Sequence, residues 1–228
     1  MGEVGNECHY SGFERSRSGR CAVFPGRDVY VIDDDRDVRQ SLHFLLNTFG
    51  IKAWSFASAE DFFDNLGSLK PAPILLDVRM AKIDGLQALE KLRLEAKSWP
   101  VIMITAHGDI ATAVRAVKLG ALEFLEKPFA VELLEAALVS AFGALDEIEA
   151  TAERRRAAEQ QLGELSPREL EVMAILVEGA SNKLVAHRLA LSIRTVEMHR
   201  KNALAKLGVR SIAEVIALAA TANRRLTK

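Results

Sequence analysis

Three aspartates, a threonine and a lysine stand far apart in the 228-residue sequence, yet each follows a short apolar run. Asp33 and Asp34 follow DVYVI, Asp77 follows APILL, Thr105 follows PVIMI and Lys127 follows LEFLE. If those runs are parallel strands, one edge of one sheet gathers all five side chains. Clustered carboxylates repel one another, and an oxygen-only cluster is best balanced by a hard divalent cation, Mg2+ or Mn2+. A hydroxyl and an ammonium at the same edge suit phosphoryl oxygens. Asp77 would then be the nucleophile, because a carboxylate that accepts a phosphoryl group becomes an acyl phosphate. Taken singly, an acidic residue after a strand reads as an ordinary cap or turn; only the constellation points to phosphoryl transfer.

The elements that must position these residues follow from the alternation of apolar runs and amphipathic stretches, the pattern of βαβ units. Strands are expected at 28–33, 51–56, 72–77, 100–105 and 122–126, with helices near 35–49, 58–66, 84–96 and 109–119 and a fifth after Pro128. The fold class is α/β, a doubly wound five-stranded parallel sheet of flavodoxin-like form, with its ligand crevice beyond the carboxyl ends of the strands. The fifth helix continues with Leu134, Leu138, Ala141, Leu145, Ile148 and Ala152 at heptad-like spacing. Its apolar seam then fades in AERRRAAEQQ, which reads as a solvated helical connector. A short coiled coil between two protomers is the alternative.

Net charge is −1, but the two halves differ. Residues 27–150 hold 13 Lys/Arg against 20 Asp/Glu, a balance of −7; residues 164–228 hold 11 against 6, a balance of +5. An acidic half joined to a basic one assigns contact with a polyanion to the second half alone. That half opens at LSPRELEV, where Ser166 is an N-cap, Pro167 suits the first helical position and Glu169 completes a capping box. Helices are expected at 167–178, 182–189, 193–207 and 211–223, with Gly179 and Gly208 as stops. The second and third form a helix-turn-helix with its turn around Leu191-Ser192, and Ser192 caps the third. Val196, Ala203, Leu204 and Leu207 face inward on that third helix, leaving Arg194, Glu197, Met198, Arg200 and Lys201 for solvent or DNA. A solvated charged face is the plain alternative.

The strings VIDDD, ILLDVRM, MITAHGD and FLEKPF make nearly all of residues 27–145 resemble the receiver domains of two-component response regulators. The resemblance implies that Asp34 and Asp77 ligate Mg2+ with the Arg79 carbonyl, assisted by Asp33, and that Asp77 is phosphorylated by a sensor histidine kinase. It implies that Thr105 and Lys127 bind phosphate oxygens, that Phe124 changes rotamer with Thr105, and that Lys127-Pro128 is cis. Plain core packing also accounts for Phe124. One departure is visible: Ala81 stands in MAKIDG where the family commonly has proline, which suggests a less rigid loop after Asp77. A phosphatase of the haloacid-dehalogenase type needs a second carboxylate two residues beyond its nucleophile, and Arg79 occupies that place. The chain is therefore read as a regulator and not an enzyme.

Residues 164–223 in turn resemble the output domain of the LuxR/NarL/FixJ regulators, with the receiver most like the FixJ type. The resemblance places base contacts on Glu197, Met198 and Lys201, and phosphate contacts on Asn182, Lys183, Arg194, Thr195 and His199. The stripe through Ile212, Val215 and Ile216 is partly core and, by resemblance, partly a dimer contact on DNA. The organisation expected is a mobile extension over 1–26, a receiver over 27–145, a helical linker over 146–163 and a DNA-binding domain over 164–228. Phosphorylation would turn a monomer into a homodimer on double-stranded DNA, with RNA polymerase as a further partner. No stretch approaches the roughly 18 apolar residues of a membrane span. MGEVGNECHY carries no secretory pattern, so a cytoplasmic setting is expected, with Cys8 and Cys21 as reduced thiols.

Overall fold

The computed structural model describes residues 24–95, 98–106 and 108–224; Cys8, Cys21, most of the expected extension, the helix end at Ala96 and His107 lie outside the described residues. The chain divides into two compact units, Met1–Glu147 and Ile148–Lys228.

The first unit holds β1 (Asp28–Ile32), α1 (Arg36–Thr48), β2 (Lys52–Phe56), α2 (Ala59–Asn65), β3 (Ile74–Asp77), α3 (Gly85–Leu94), β4 (Val101–Thr105), α4 (Ile110–Lys118) and β5 (Glu123–Glu126), followed by the start of α5 (Val131–Gly163). All neighbouring strands pair in parallel, in the order β2-β1-β3-β4-β5. Successive strand residues point to opposite faces, so each central strand feeds two cores. Tyr30, Ile32, Ile74, Leu76, Val101 and Met103 join Phe62, Leu89 and Trp99 on one face. Val29, Val31, Leu75, Ile102 and Ile104 join Leu42, Leu46, Leu134 and Leu138 on the other. Burial on both faces explains why these strands read as continuous apolar runs. Each fully buried aliphatic side chain contributes about 1.5–3 kcal/mol. The strand order reverses at β1, which opens the crevice between the carboxyl ends of β1 and β3.

The second unit contains α6 (Pro167–Val177), α7 (Asn182–Leu189), α8 (Ile193–Lys206) and α9 (Ile212–Thr221). Ser166 and Glu169 form the capping box expected from the sequence, and Ser192 accepts from the Thr195 amide to cap α8. One departure lies in α5. Ala158, within the stretch read as a solvated connector, and Leu162 just after it are buried with Val172, Met173 and Val215. Two apolar residues four apart occupy one helical stripe, and a run this short among charges leaves no heptad signal.

Ala190, the C-cap of α7, has φ 52° and ψ 45°, the left-handed region that favours glycine. An L-residue there costs about 1–2 kcal/mol, partly offset by the entropy that a glycine loses on folding. Ala190→Gly is expected to stabilise the second unit by about 1 kcal/mol. Urea unfolding followed through α7 amide exchange reads this directly, and a lowered midpoint would contradict it.

Candidate functional site

Register builds the acidic edge. Ile32 pairs with Leu76, so Asp33 and Asp77, each one residue further on, leave adjacent strands side by side. Asp33, Asp77 and Thr105 are buried, although buried polar side chains are uncommon. Lys127 follows β5, and its ammonium donates to Asp33 Oδ2 and Asp77 Oδ1, both at 2.7 Å. Asp77 Oδ2 accepts the Arg79 amide at 2.7 Å. Asp33 Oδ1 accepts the Asp35 amide at 2.8 Å, and the Asp33 carbonyl accepts from the Arg39 guanidinium at 2.6 Å. The third acid of the Asp-Asp-Asp run does something else: Asp35 caps α1 by accepting from the Asp37 and Val38 amides. Asp34 is exposed, and its Oδ2 accepts the Ala81 amide at 3.1 Å.

Burial pushes the Asp77 carboxyl above its ordinary range, and the neighbouring Asp33 charge adds to this, while Lys127 and the Arg79 amide only partly oppose it. Burial by itself would lower Lys127, but its hydrogen bonds to Asp33 and Asp77 prevail and hold the ammonium above the usual lysine range. Thr105 ends β4, and its carbonyl accepts the Lys127 amide at 2.7 Å. Phe124 is half-buried in β5 and packs on the core beside the crevice. A methyl group at Gly108 would stand 3.2 Å from Phe124 Cε1, so the β4–α4 loop passes close over the ring. The Lys127-Pro128 peptide is cis.

Among the described residues, no three His, Cys, Asp or Glu side chains stand as a preformed metal-holding group. Lys127 instead lies between two of the three carboxylates. The donor set still fits a hard cation: Asp33 and Asp77 share one ammonium, and every side-chain donor, Asp34 included, is a carboxylate oxygen.

Two further residues, Arg39 and Gly85, help to hold the site. The Gly85 amide closes the loop onto the Val78 carbonyl at 2.8 Å, and a Cβ on Gly85 would fall 2.1 Å from the Asp77 carbonyl oxygen. The Asp-Gly pair in MAKIDG was the available signal, since a turn glycine often marks a close backbone approach.

In the second unit, Arg194, Glu197, Met198 and Lys201 are exposed on α8, while Val196, Ala203 and Leu207 are buried beneath them. Thr195, His199 and Arg200 are half-buried. The Thr195 hydroxyl pairs with Ser192 Oγ at 2.7 Å, and Arg200 reaches back to Asn182 Oδ1 at 3.5 Å. Lys183 is exposed in the first turn of α7, next to Asn182. Exposed basic and polar groups therefore occupy the N-terminal turns of two successive helices, the arrangement by which a helix-turn-helix meets a duplex.

Glu169 holds this unit together in a second way. Its Oε2 accepts the Ser166 amide at 2.8 Å and the Lys206 ammonium at 2.7 Å, tying the start of α6 to the end of α8. The Lys206 hydrogen bond, with help from Ser166, keeps this carboxyl below its ordinary value of 4.5. A carboxylate lowered in the folded state contributes stability above its unfolded value and loses it as pH falls through the folded value. Lys206 is partly exposed, so Glu169→Gln is expected to cost about 1 kcal/mol at pH 7. Urea midpoints of wild type and variant should converge as the pH drops below 4.5, and a gap that stays constant with pH would contradict the pairing.

Residues 29–139 match the family described as Response regulator receiver domain, and residues 163–219 match the bacterial regulatory proteins of the luxR family. The chain belongs to the two-component response regulators that join a receiver to a luxR-family DNA-binding domain. It is 39% identical over 198 residues to the transcriptional regulatory protein FixJ of Bradyrhizobium diazoefficiens, covering 86% of this chain and 95% of the relative. It is also 39% identical over 189 residues to the C4-dicarboxylate transport transcriptional regulatory protein DctR of Rhodobacter capsulatus, covering 82% and 96%. Among solved structures, the response regulator StyR superposes with a TM-score of 0.73 at 35% identity, over 85% of this chain and 98% of that one. Full-length FixJ from B. japonicum gives 0.55 at 37%, over 87% and 98%. The protein is accordingly a phosphorylation-regulated transcriptional regulator of a two-component system. Its receiver implies a histidine kinase partner and its second domain implies DNA binding. Receiver domains generally bind Mg2+ for phosphorylation. No helix among the described residues is long and apolar enough to cross a membrane.

Proposed function

We propose that Asp77 is the phosphoryl acceptor of this regulator and that its acyl phosphate drives dimerisation and DNA binding in the cytoplasm. The observation that carries the reading is the Lys127 ammonium 2.7 Å from Asp77 Oδ1, a cation placed beside the nucleophilic oxygen. One Asp77 oxygen forms a bond to phosphorus as the bond from phosphorus to the kinase imidazole nitrogen breaks, and the imidazole keeps the electron pair. Asp33, Asp34, Asp77 and the Arg79 carbonyl would hold Mg2+, with Mn2+ chemically equivalent. When bound, the ion neutralises charge on the transferring phosphoryl group. Lys127 then pairs with a phosphoryl oxygen in place of Asp77, and Thr105 donates its hydroxyl to another. Phe124 follows Thr105, and the loop over Gly108 must yield to it.

The receiver (27–145) presents Ile110, Val114 and Val117 on α4 and Leu122 before β5, all exposed, as the face that pairs two copies. The linker (146–163) leads to the DNA-binding domain (164–228). There Glu197, Met198 and Lys201 meet base edges, and Asn182, Lys183, Arg194, Thr195, His199 and Arg200 engage phosphates. Ile216, exposed on α9, adds a second contact between the two copies, and the DNA-bound dimer meets RNA polymerase. Acetyl phosphate with Mg2+ is expected to raise both the sedimentation coefficient and the affinity for operator DNA. If both stay unchanged, the switch is wrong.

A further inference from the structure

We infer that the Ala81 main-chain N–H is a positioning group for Asp34, holding that carboxylate in the orientation that receives the divalent cation. The inference rests on the reading of Asp33, Asp34 and Asp77 as the cation site. Two carboxylates of that site leave different strands, and one loop holds both. The Arg79 amide donates to Asp77 Oδ2 at 2.7 Å, and the Ala81 amide, two residues on, donates to Asp34 Oδ2 at 3.1 Å. The same loop is closed at its base by the Gly85 amide on the Val78 carbonyl at 2.8 Å. Alternate amides of a short closed loop therefore fix the separation between carboxylates that lie 43 residues apart in sequence, Asp34 and Asp77.

Asp34 is exposed, and the two hydrogen bonds that fix Asp33 do not reach it, so the Ala81 contact is what limits its rotamers. With Oδ2 engaged by the loop, Oδ1 remains for the cation, the arrangement by which an outer hydrogen bond orients a ligand. Proline, common here in the family that the sequence resembles, has no N–H to give. Alanine at this position therefore replaces a stiff residue with a cross-loop hydrogen bond, and the loop is tied where the sequence alone suggested slackness.

The test uses the full chain and Mn2+ as probe, read by loss of the free-ion electron paramagnetic resonance signal with no phosphodonor present. Removing an outer hydrogen-bond partner of a ligand typically weakens metal binding about 10–100-fold. Because this bond is exposed, Ala81→Pro is expected to raise the Mn2+ dissociation constant by about tenfold, the low end of that range. Ala81→Gly, which keeps the N–H, should stay within about twofold. In acetyl phosphate labelling, the Mg2+ concentration for half-maximal rate should rise by the same factor in Ala81→Pro, while the rate at saturating Mg2+ is retained. An ester in place of the Ala81 amide deletes the N–H without adding a ring, and should reproduce the proline result if loop shape is unaltered. Ala81→Pro or ester protein that binds Mn2+ as tightly as wild type, or more tightly, overturns the inference while leaving the cation site standing. Wild-type protein that binds no Mn2+ overturns the cation site itself.

Discussion

Asp77→Asn is expected to lose phosphoryl incorporation from acetyl phosphate by at least about 10³-fold, because an amide of the same shape offers no nucleophilic carboxylate oxygen. The variant should nevertheless remain folded. Burial raises the Asp77 carboxyl, which means that its charge is costly where it sits. A neutral Asn removes that cost, and Lys127 keeps its second partner, Asp33. Thermal unfolding should therefore show a midpoint at or above that of wild type, alongside sedimentation and DNA affinity that no longer respond to acetyl phosphate. Labelling that persists at the wild-type level would place the acceptor elsewhere.

Gly85→Ala should produce the second large effect, and by a different route. Its Cβ would meet the Asp77 carbonyl oxygen at 2.1 Å, Val78 Cα at 2.9 Å and Asp77 C at 3.0 Å. All three neighbours are backbone, so no side chain can rotate away to relieve the overlap. Overpacking of this kind costs about 1–3 kcal/mol, and a contact this close to backbone belongs at the upper end. The relief available is a shift of β3 away from α3, which carries Asp77 with it. Gly85→Ala should thus lower the urea midpoint of the receiver and slow Asp77 labelling together. Wild-type values for both would mean that the loop is far more pliant than its hydrogen bonds indicate.

Much of this architecture is legible in the chain because it is written in side-chain pattern. Strands buried on both faces must be apolar throughout, so Val29–Ile32, Ile74–Leu76 and Val101–Ile104 announce themselves. A polar residue at the end of such a run then stands out, as Asp33, Asp77 and Thr105 do; Lys127 follows the partly exposed, Glu-flanked edge strand β5 and is marked instead by the proline after it. The capping box at Ser166 and Glu169 is equally plain, since its spacing is fixed by the geometry of a helix start.

What escaped the sequence reading was made by backbone or by single contacts between distant elements. The Ala81 amide has no residue signature; its partner Asp34 is 47 positions away. Glu169 was legible as a cap but not as the partner of Lys206, 37 positions on. Arg200 reads from the sequence as free for solvent or DNA, and its reach across to Asn182, 18 positions away, has no signature in the pattern. Ala158 and Leu162 form no apolar seam, being only two apolar footholds in a charged helix, yet they are buried in the core of the second unit.

Borohydride reduction of the acyl phosphate, followed by peptide mass mapping, tests the central assignment most directly. Chain treated with acetyl phosphate and Mg2+ should yield homoserine at position 77, and none in Asp77→Asn protein. Homoserine at Asp33 or Asp34, or no reducible aspartyl phosphate in the wild-type chain, would contradict the account of how this regulator is switched.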